Sequence, residues 1–436
     1  MQDYRSNLIL KISKLIDDEQ FKSRNTNGSK GFSRNRRLGF NILILLISRS
    51  MLSSVQRELN SFFSKVQGLQ YSLQAVTKGA LTQARAKLKP EAFVEMNQVA
   101  VNEFYEGAPY QVWKTHRLLA IDGSTLNLPS HATTRKVFGE MCVGCKADVK
   151  RSMGRISVCY DVLNLLTLDA RIDRFDVSEK ALLKEHLNNV FFKKGDIVLA
   201  DRGYPSIALM YILKQKGVEF CFRMKDSWWK EVEKFVASGH QSKEVVFELP
   251  KKDKHLQNEW QCKENHVRCR LVLIELDNGE KEILCTSLLN DKVYTIADLK
   301  ALYHYRWNVE EGYKLFKCRA QLEVFSGKTA NAIKQDFYAK IFMMTTCAVL
   351  SFPIDKKVRE ETINERRKHA HQINRTNALS FCREAWVTIW LKNKKKKVLA
   401  ALDTILSKTT DIVRPGRNFI RKKRPKYPPT MTYKQL

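Results

Sequence analysis

The sequence predicts an α/β protein: a sheet domain interrupted by extra strands, set between a helical N-terminal region and a basic, helical C-terminal region. Three observations carry this. Apolar residues recur at helical spacing through residues 1–115; β-rich runs, some with a period of two, begin near residue 116; and long helical patterns return after residue 296. The expected division is 1–115 helical, 116–225 first part of the sheet domain, 226–295 a β-strand insertion, 296–355 second part of that domain, and 356–436 the basic C-terminal region.

The elements follow in order. SNLILKISKLI (6–16), RLGFNILILLISRSML (37–52) and SVQRELNSFF (54–63) carry helical apolar spacing. LQAVTKGALTQARAKLKPEAF (73–93) has two short helical patterns around Gly79 and a stop at Pro90. That pattern suits a helix-turn-helix, in which Arg85, Lys87 and Lys89 would face DNA, and equally suits any packed helix pair. RLLAIDGSTLNLP (117–129), RISVCYDVLN (155–164) and LDARIDRF (168–175) read as strands. A helix (178–192), a strand (196–205), a helix (206–217) and a strand (218–225) then alternate, the pattern of a partly parallel sheet. KEVVFELP (243–250), VRCRLVLIEL (267–276) and KEILCTSLL (281–289) are strand-like, with a DNG turn at 277–279 and no helix long enough to continue the alternation.

Composition bounds the partners. The 436 residues hold 76 Lys and Arg against 46 Asp and Glu, a net charge of +30. Residues 356–436 alone hold 22 against 6, including KNKKKK (392–397) and RKKRPKYPP (421–429). Such runs cannot enter a core and suit phosphate-binding arms, so a polyanion, above all nucleic acid, is the expected partner. A 44% hydrophobic content excludes disorder throughout. The longest apolar stretches, 41–48 and 341–352, fall short of a membrane span, and the first residues mix charge into their apolar run, unlike a secretory leader. Ten scattered cysteines fit a reducing cytosol.

Three acidic residues stand out. Asp122 ends an apolar strand and precedes Gly123; Asp201 ends another and precedes Arg202 and Gly203. Carboxylates at strand ends beside glycine lie where sheet proteins bind ligands, although Asp-Gly is also a turn signal. In ALYHYRWNVEEGYKLFKCRAQ (301–321), Tyr303, Glu310 and Lys317 are seven apart, and Arg306 is four before Glu310. Positions seven apart differ by only about 20° on a helix, so these groups share a face. Leu302, Val309 and Phe316 form an adjacent apolar stripe. Taken singly, that face is also an ordinary solvated one with i,i+4 ion pairs. Together, three carboxylates at one site need cations, and hard oxygen donors suit Mg²⁺ or Mn²⁺, two of which would serve phosphodiester cleavage.

These motifs resemble the DDE transposases of the insertion sequence four family. Tyr303, Arg306, Glu310 and Lys317 match its YREK motif, Asp122 in IDGS and Asp201 in ADRGY match its aspartate motifs, and 73–93 and the basic C-terminal end are similar to its flanking regions. The resemblance implies an RNase H-like catalytic core with a β-strand insertion between the second Asp and the Glu. It implies that Asp122, Asp201 and Glu310 hold two Mg²⁺ or Mn²⁺ ions. Water and then a freed 3′-hydroxyl would attack phosphorus, with Tyr303, Arg306 and Lys317 on the DNA phosphates. The expected partner is double-stranded DNA, as transposon terminal repeats and target, engaged by a homodimer, with no membrane. The expected setting is the bacterial cytoplasm, beside the nucleoid. Trp228, Trp229, Trp260 and Trp307 are candidates for stacking on a flipped base, and also for ordinary packing. A metal-dependent endonuclease without strand transfer and a catalytically silent DNA-binding protein are the alternatives.

Other signals are weaker. Cys142-x-x-Cys145 has no second pair at finger spacing, and Cys262, His266 and Cys269 fall short of four zinc ligands. Glu311 points about 100° from the Tyr303–Lys317 line and is expected in solvent, and Asp196 and Asp226 read as turn residues.

Overall fold

The computed structural model describes residues 3–28, 31–71, 74–142, 150–227, 229–276, 279–363, 369–391 and 394–414. Cys145, Trp228, residues 277–278 of the DNG turn, Lys392 and the 421–429 run lie outside the described residues.

Eight strands form the main sheet: β1 (Leu118–Asn127), β2 (Met153–Asp161), β3 (Leu166–Arg174), β4 (Ile197–Ala200), β5 (Glu219–Met224), β6 (Ser242–Glu248), β7 (His266–Glu275) and β8 (Lys281–Thr286). Their spatial order is β3-β2-β1-β4-β5-β8-β7-β6. The first three are an antiparallel meander. β4 lies parallel to β1 and β5 parallel to β4, reached through helices Glu179–Asn189 and Ile207–Gln215. That is the order of an RNase H-like core, and the α/β class expected from the sequence is the one observed. Ile197–Ala200 is buried along its whole length, as a central parallel strand requires.

The extra strands extend this sheet. β8 pairs antiparallel with β5, then β7 with β8 and β6 with β7. The connection into β6 carries a helix absent from the sequence reading, Lys230–Ala237, which buries Val232 and Phe235.

Helices enclose the sheet in one continuous apolar core. The 33-residue helix Ala330–Thr362 packs on β3 and on helix Glu91–Gly107. It contains the apolar stretch read as too short to span a bilayer. By length and composition the whole helix would suffice, yet 78% of its most apolar window is buried inside the protein. Helices Tyr4–Ile16 and Phe40–Ser48 lean on this framework, as does Arg375–Leu391, whose Trp386 Nε1 donates to Ser48 Oγ at 2.8 Å. Ser and Thr caps at Thr77, Ser178, Ser206 and Thr329 accept from first-turn N–H groups, and Thr295 with Asp298 forms a reciprocal capping box.

Candidate active site

The register between β1 and β4 sets the two aspartates. The last paired residues are Ile121 and Ala200, so Asp122 and Asp201 are the next residues of adjacent parallel strands. Each carboxylate accepts a neighbouring backbone N–H: Gly123 N donates to Asp122 Oδ1 at 2.9 Å and Arg202 N to Asp201 Oδ1 at 2.7 Å. The glycines of both motifs leave room for the Glu179 carboxylate. A Cβ at Gly123 would stand 3.0 Å from Glu179 Oε1, and one at Gly203 2.9 Å from Glu179 Oε2. Glu179 begins the first crossover helix and is held by Arg155 Nη1 at 3.1 Å.

The Glu310 segment is a broken helix. Residues Ile296–His304 and Trp307–Lys314 are helical, separated at Tyr305–Arg306, where i→i+3 bonds tighten the chain. Leu315–Arg319 then widens into a π-turn, a feature often found at functional sites. The even 100° progression read from the sequence is therefore interrupted twice. Arg306 Nη2 still reaches Glu310 Oε1 at 3.2 Å, and the guanidinium stacks over Trp307 at 4.6 Å and Tyr303 at 5.7 Å. Lys317 Nζ donates to Thr125 O at 2.7 Å, and Tyr313, absent from the sequence reading, donates its hydroxyl to Asp122 O at 2.7 Å. Two side chains thus stitch the Glu310 segment to β1. Gly312 lets that segment sit close, since a Cβ there would stand 3.3 Å from the Tyr160 ring.

Charge is concentrated at this point. Burial pushes the Asp122 carboxyl up to about 6; Gly123 N–H and Arg306 oppose this, while Glu310 and Glu179 add to it. Burial works against the charge on Arg306, yet Tyr303, Asp201, Asp122 and Glu310 hold its pKa above the usual value. Arg306 is accordingly the counter-charge of all three carboxylates. Burial also pushes the Tyr303 phenol up, and among the described residues its buried hydroxyl has no hydrogen-bond partner. Tyr303 and Arg306 are each 3% exposed. They face the carboxylates and offer no open surface to DNA in this arrangement, which departs from the expected phosphate contacts.

The donor set suits a hard divalent cation: two strand-end carboxylates, one of them carrying excess negative surroundings, and a third on the facing helix. Among the described residues no three His, Cys, Asp or Glu side chains are already gathered as a metal group, and Glu310 is turned to Arg306.

The N-terminal residues expected on DNA separate. Arg85 is buried: its Nη2 lies 2.8 Å from Asp336 Oδ1, its Nε donates to Gln335 Oε1 at 2.8 Å, and it locks helix Lys78–Ala86 to the long helix. Lys89 Nζ donates to Arg24 O at 3.0 Å. Gly79 lies in the first turn of helix Lys78–Ala86, so the turn of this helix pair falls at 87–90. Lys87 alone lines an open groove, shared with Phe32, Arg34, Arg36, Arg37 and Gln83. No motif marked residues 32–37; the signal was the density of arginine in SRNRR (33–37).

The remaining candidates are plainly placed. Trp229 packs edge-on against Phe247, Trp260 lies under Lys216, and Trp307 is 46% exposed beside Glu310. Glu311 is exposed and pairs with Lys314, as expected. Asp226 is exposed, whereas Asp196, read as a turn residue, is buried against Arg117 with Nη2–Oδ2 at 2.5 Å. Cys269 is buried and Cys262 half-buried.

The fold thus sets two strand-end carboxylates beside a helical segment that carries a third and its arginine partner. A family model described as the transposase DDE domain matches residues 113–346, more than half of the chain, and the chain belongs to that family. It is a DDE transposase, an enzyme of DNA transposition, and such enzymes generally depend on divalent metal ions. Among solved structures it is similar to one described as the piggyBac transposase synaptic complex with hairpin DNA, with 12% identity, 91% of this chain and 85% of that chain covered, and a TM-score of 0.46. No curated protein matches the chain.

Proposed function

We propose that the chain moves an insertion sequence by cut and paste, as a transposase of the insertion sequence four type with Tyr303, Arg306, Glu310 and Lys317 as its YREK residues. The observation that carries this reading is the side-by-side placement of Asp122 and Asp201, with Arg306 and Glu310 set against them. Asp122, Asp201 and Glu310 would hold Mg²⁺ or Mn²⁺, two ions per site. Bound there, the ions would supply activation of water and of the freed 3′-hydroxyl and stabilisation of the leaving oxygen. Arg306 balances the carboxylates, and its guanidinium would offer positive charge to a phosphate bound beside them. Lys317 sits where the Glu310 segment meets β1 and adds a second cation there.

The groove of Arg34, Arg36, Arg37 and Lys87 supports an N-terminal contact with the DNA backbone, in place of the buried Arg85. The partner in this reading is double-stranded DNA, as terminal repeats and target, paired by a homodimer in the bacterial cytoplasm. The test is joining. A labelled duplex carrying the element's terminal repeat is incubated with Mg²⁺ and a target plasmid; cleavage followed by covalent joining of the 3′ end is the expected result. Cutting without joining would replace this reading with an endonuclease, and binding alone with a DNA-binding protein.

A further inference from the structure

The main-chain carbonyl of Asp122 is held by two side chains from two elements. Tyr313 Oη, three residues after Glu310, donates to it at 2.7 Å. Ser157 Oγ on β2 donates to it at 3.3 Å. Ser157 is the end of a buried chain: His186 Nε2 lies 2.9 Å from Ser157 Oγ, and His186 Nδ1 lies 2.7 Å from Asp169 Oδ2. Arg171 Nε donates to that same carboxylate oxygen at 2.8 Å. Ser157 and His186 are each 0% exposed and Asp169 4%.

A serine, a histidine and an aspartate in sequence resemble a hydrolytic triad, but no substrate carbonyl can reach a serine with no exposed surface. Beyond His186, its hydroxyl meets the Asp122 carbonyl, with the Tyr204 hydroxyl beside it. A buried polar network restricts the groups it joins to few geometries, and this one ends at the strand end bearing Asp122. Tyr313 does the complementary work. It lies one turn from Glu310, so the bond it makes ties the position of Glu310 to that of Asp122, 188 positions earlier in the sequence.

We propose that Tyr313 and Ser157 are positioning residues: they clamp the Asp122 carbonyl between the Glu310 segment and the buried Asp169–His186–Ser157 chain, and thereby set the separation of the two carboxylates. This rests on the reading of Asp122 and Glu310 as the DNA-cleaving site. The clamp does not touch DNA, so its loss slows the chemical step and leaves binding alone. A misplacement on the order of 1 Å costs up to about 100-fold in rate.

The sequence offers a clean probe. Asp122–Gly123 is the one Asp-Gly pair in the chain. Full-length protein labelled with carbonyl-¹³C aspartate and ¹⁵N glycine therefore gives a single carbonyl-to-amide cross-peak, that of Asp122. Tyr313→Phe and Ser157→Ala are compared with Tyr211→Phe, which removes another tyrosine-to-carbonyl bond, to Glu264 O at 3.1 Å, outside the site. The expected result is an upfield move of the Asp122 carbonyl and a fall of about 10- to 100-fold in single-turnover cleavage for Tyr313→Phe, with a smaller change in the same direction for Ser157→Ala. DNA affinity stays at the wild-type value, the fall in Tm is no larger than that of Tyr211→Phe, and Tyr211→Phe changes neither the Asp122 carbonyl nor the cleavage rate. A carbonyl that stays in place, or a rate that falls only in step with Tm, overturns the clamp while leaving the transposase reading intact. A wild-type protein that cuts no DNA overturns the functional reading before any variant is compared, and the cross-peak alone then decides whether Tyr313 and Ser157 hold the carbonyl.

Discussion

Asp122→Asn should make the DNA-free, metal-free protein more stable at neutral pH. The carboxyl is pushed from an ordinary 3.8 up to about 6, first by burial, then by Glu310 and Glu179 against the opposing pull of Gly123 N–H and Arg306. For an acid with a raised folded-state pKa, the folded protein binds more protons than the unfolded chain between about pH 4 and 6, so stability falls as pH rises through that window. The cost of keeping the charge reaches about 3 kcal/mol at pH 7 and shrinks to about 0.5 kcal/mol at pH 4. Asparagine keeps the shape and accepts the Gly123 N–H without the charge, and gives up the attraction to Arg306, so about 3 kcal/mol is a ceiling. The assay is urea denaturation in EDTA, wild type against variant, at pH 7 and pH 4. The expected result is a variant more stable by up to about 3 kcal/mol at pH 7, with the difference nearly gone at pH 4. A variant that is less stable at pH 7, or a difference that does not depend on pH, would refute the picture of an acid strained by its surroundings.

Other substitutions test separate parts of the structure. Arg85→Met leaves Asp336 buried without its partner and should cost about 3–5 kcal/mol by urea denaturation, while the DNA affinity of the folded protein stays unchanged; a loss of affinity at full stability would return Arg85 to the DNA surface. Replacing Arg34, Arg36 and Lys87 together with Ala should weaken DNA binding and flatten the dependence of log affinity on log salt by about three. An unchanged salt slope would remove the groove from the interface. Gly312→Leu drives a side chain into the Tyr160 ring, and should cost about 1–3 kcal/mol and slow cleavage by moving Glu310 outward; a cleavage rate equal to wild type would show that the close seating of this segment is dispensable.

The sheet was legible because its central strands leave little choice. LLAI before Asp122 and IVLA before Asp201 are uninterrupted apolar runs, as strands buried on both faces require. That the two aspartates follow the same registered pair comes from the ladder between β1 and β4, which periodicity does not encode. The Glu310 face was half legible. Arg306 and Glu310 pair as their spacing of four allows, but the break at Tyr305–Arg306 and the π-turn at Leu315–Arg319 are tertiary choices that shift Lys317 onto Thr125. Arg85 was misplaced because its partner, Asp336, is 251 residues away, and local amphipathicity says nothing of such a partner. Glu179, Tyr313 and the Asp169–His186–Ser157 chain were missed for the same reason: each matters through a residue brought near by the fold. The helix Lys230–Ala237 was too short for its period to register.

The most direct test of the central claim neutralises each carboxylate without changing its shape. Asp122→Asn, Asp201→Asn and Glu310→Gln are compared with wild type for DNA binding and for Mg²⁺-dependent nicking of a duplex that carries the element's terminal repeat. Wild type is expected to nick the repeat end, and each variant to bind with wild-type affinity but lose nicking by more than about 100-fold, as the removal of a group that acts on the transition state does. Full nicking by any one of the three would remove that residue from the site, and full nicking by all three would place the chemistry elsewhere in the chain.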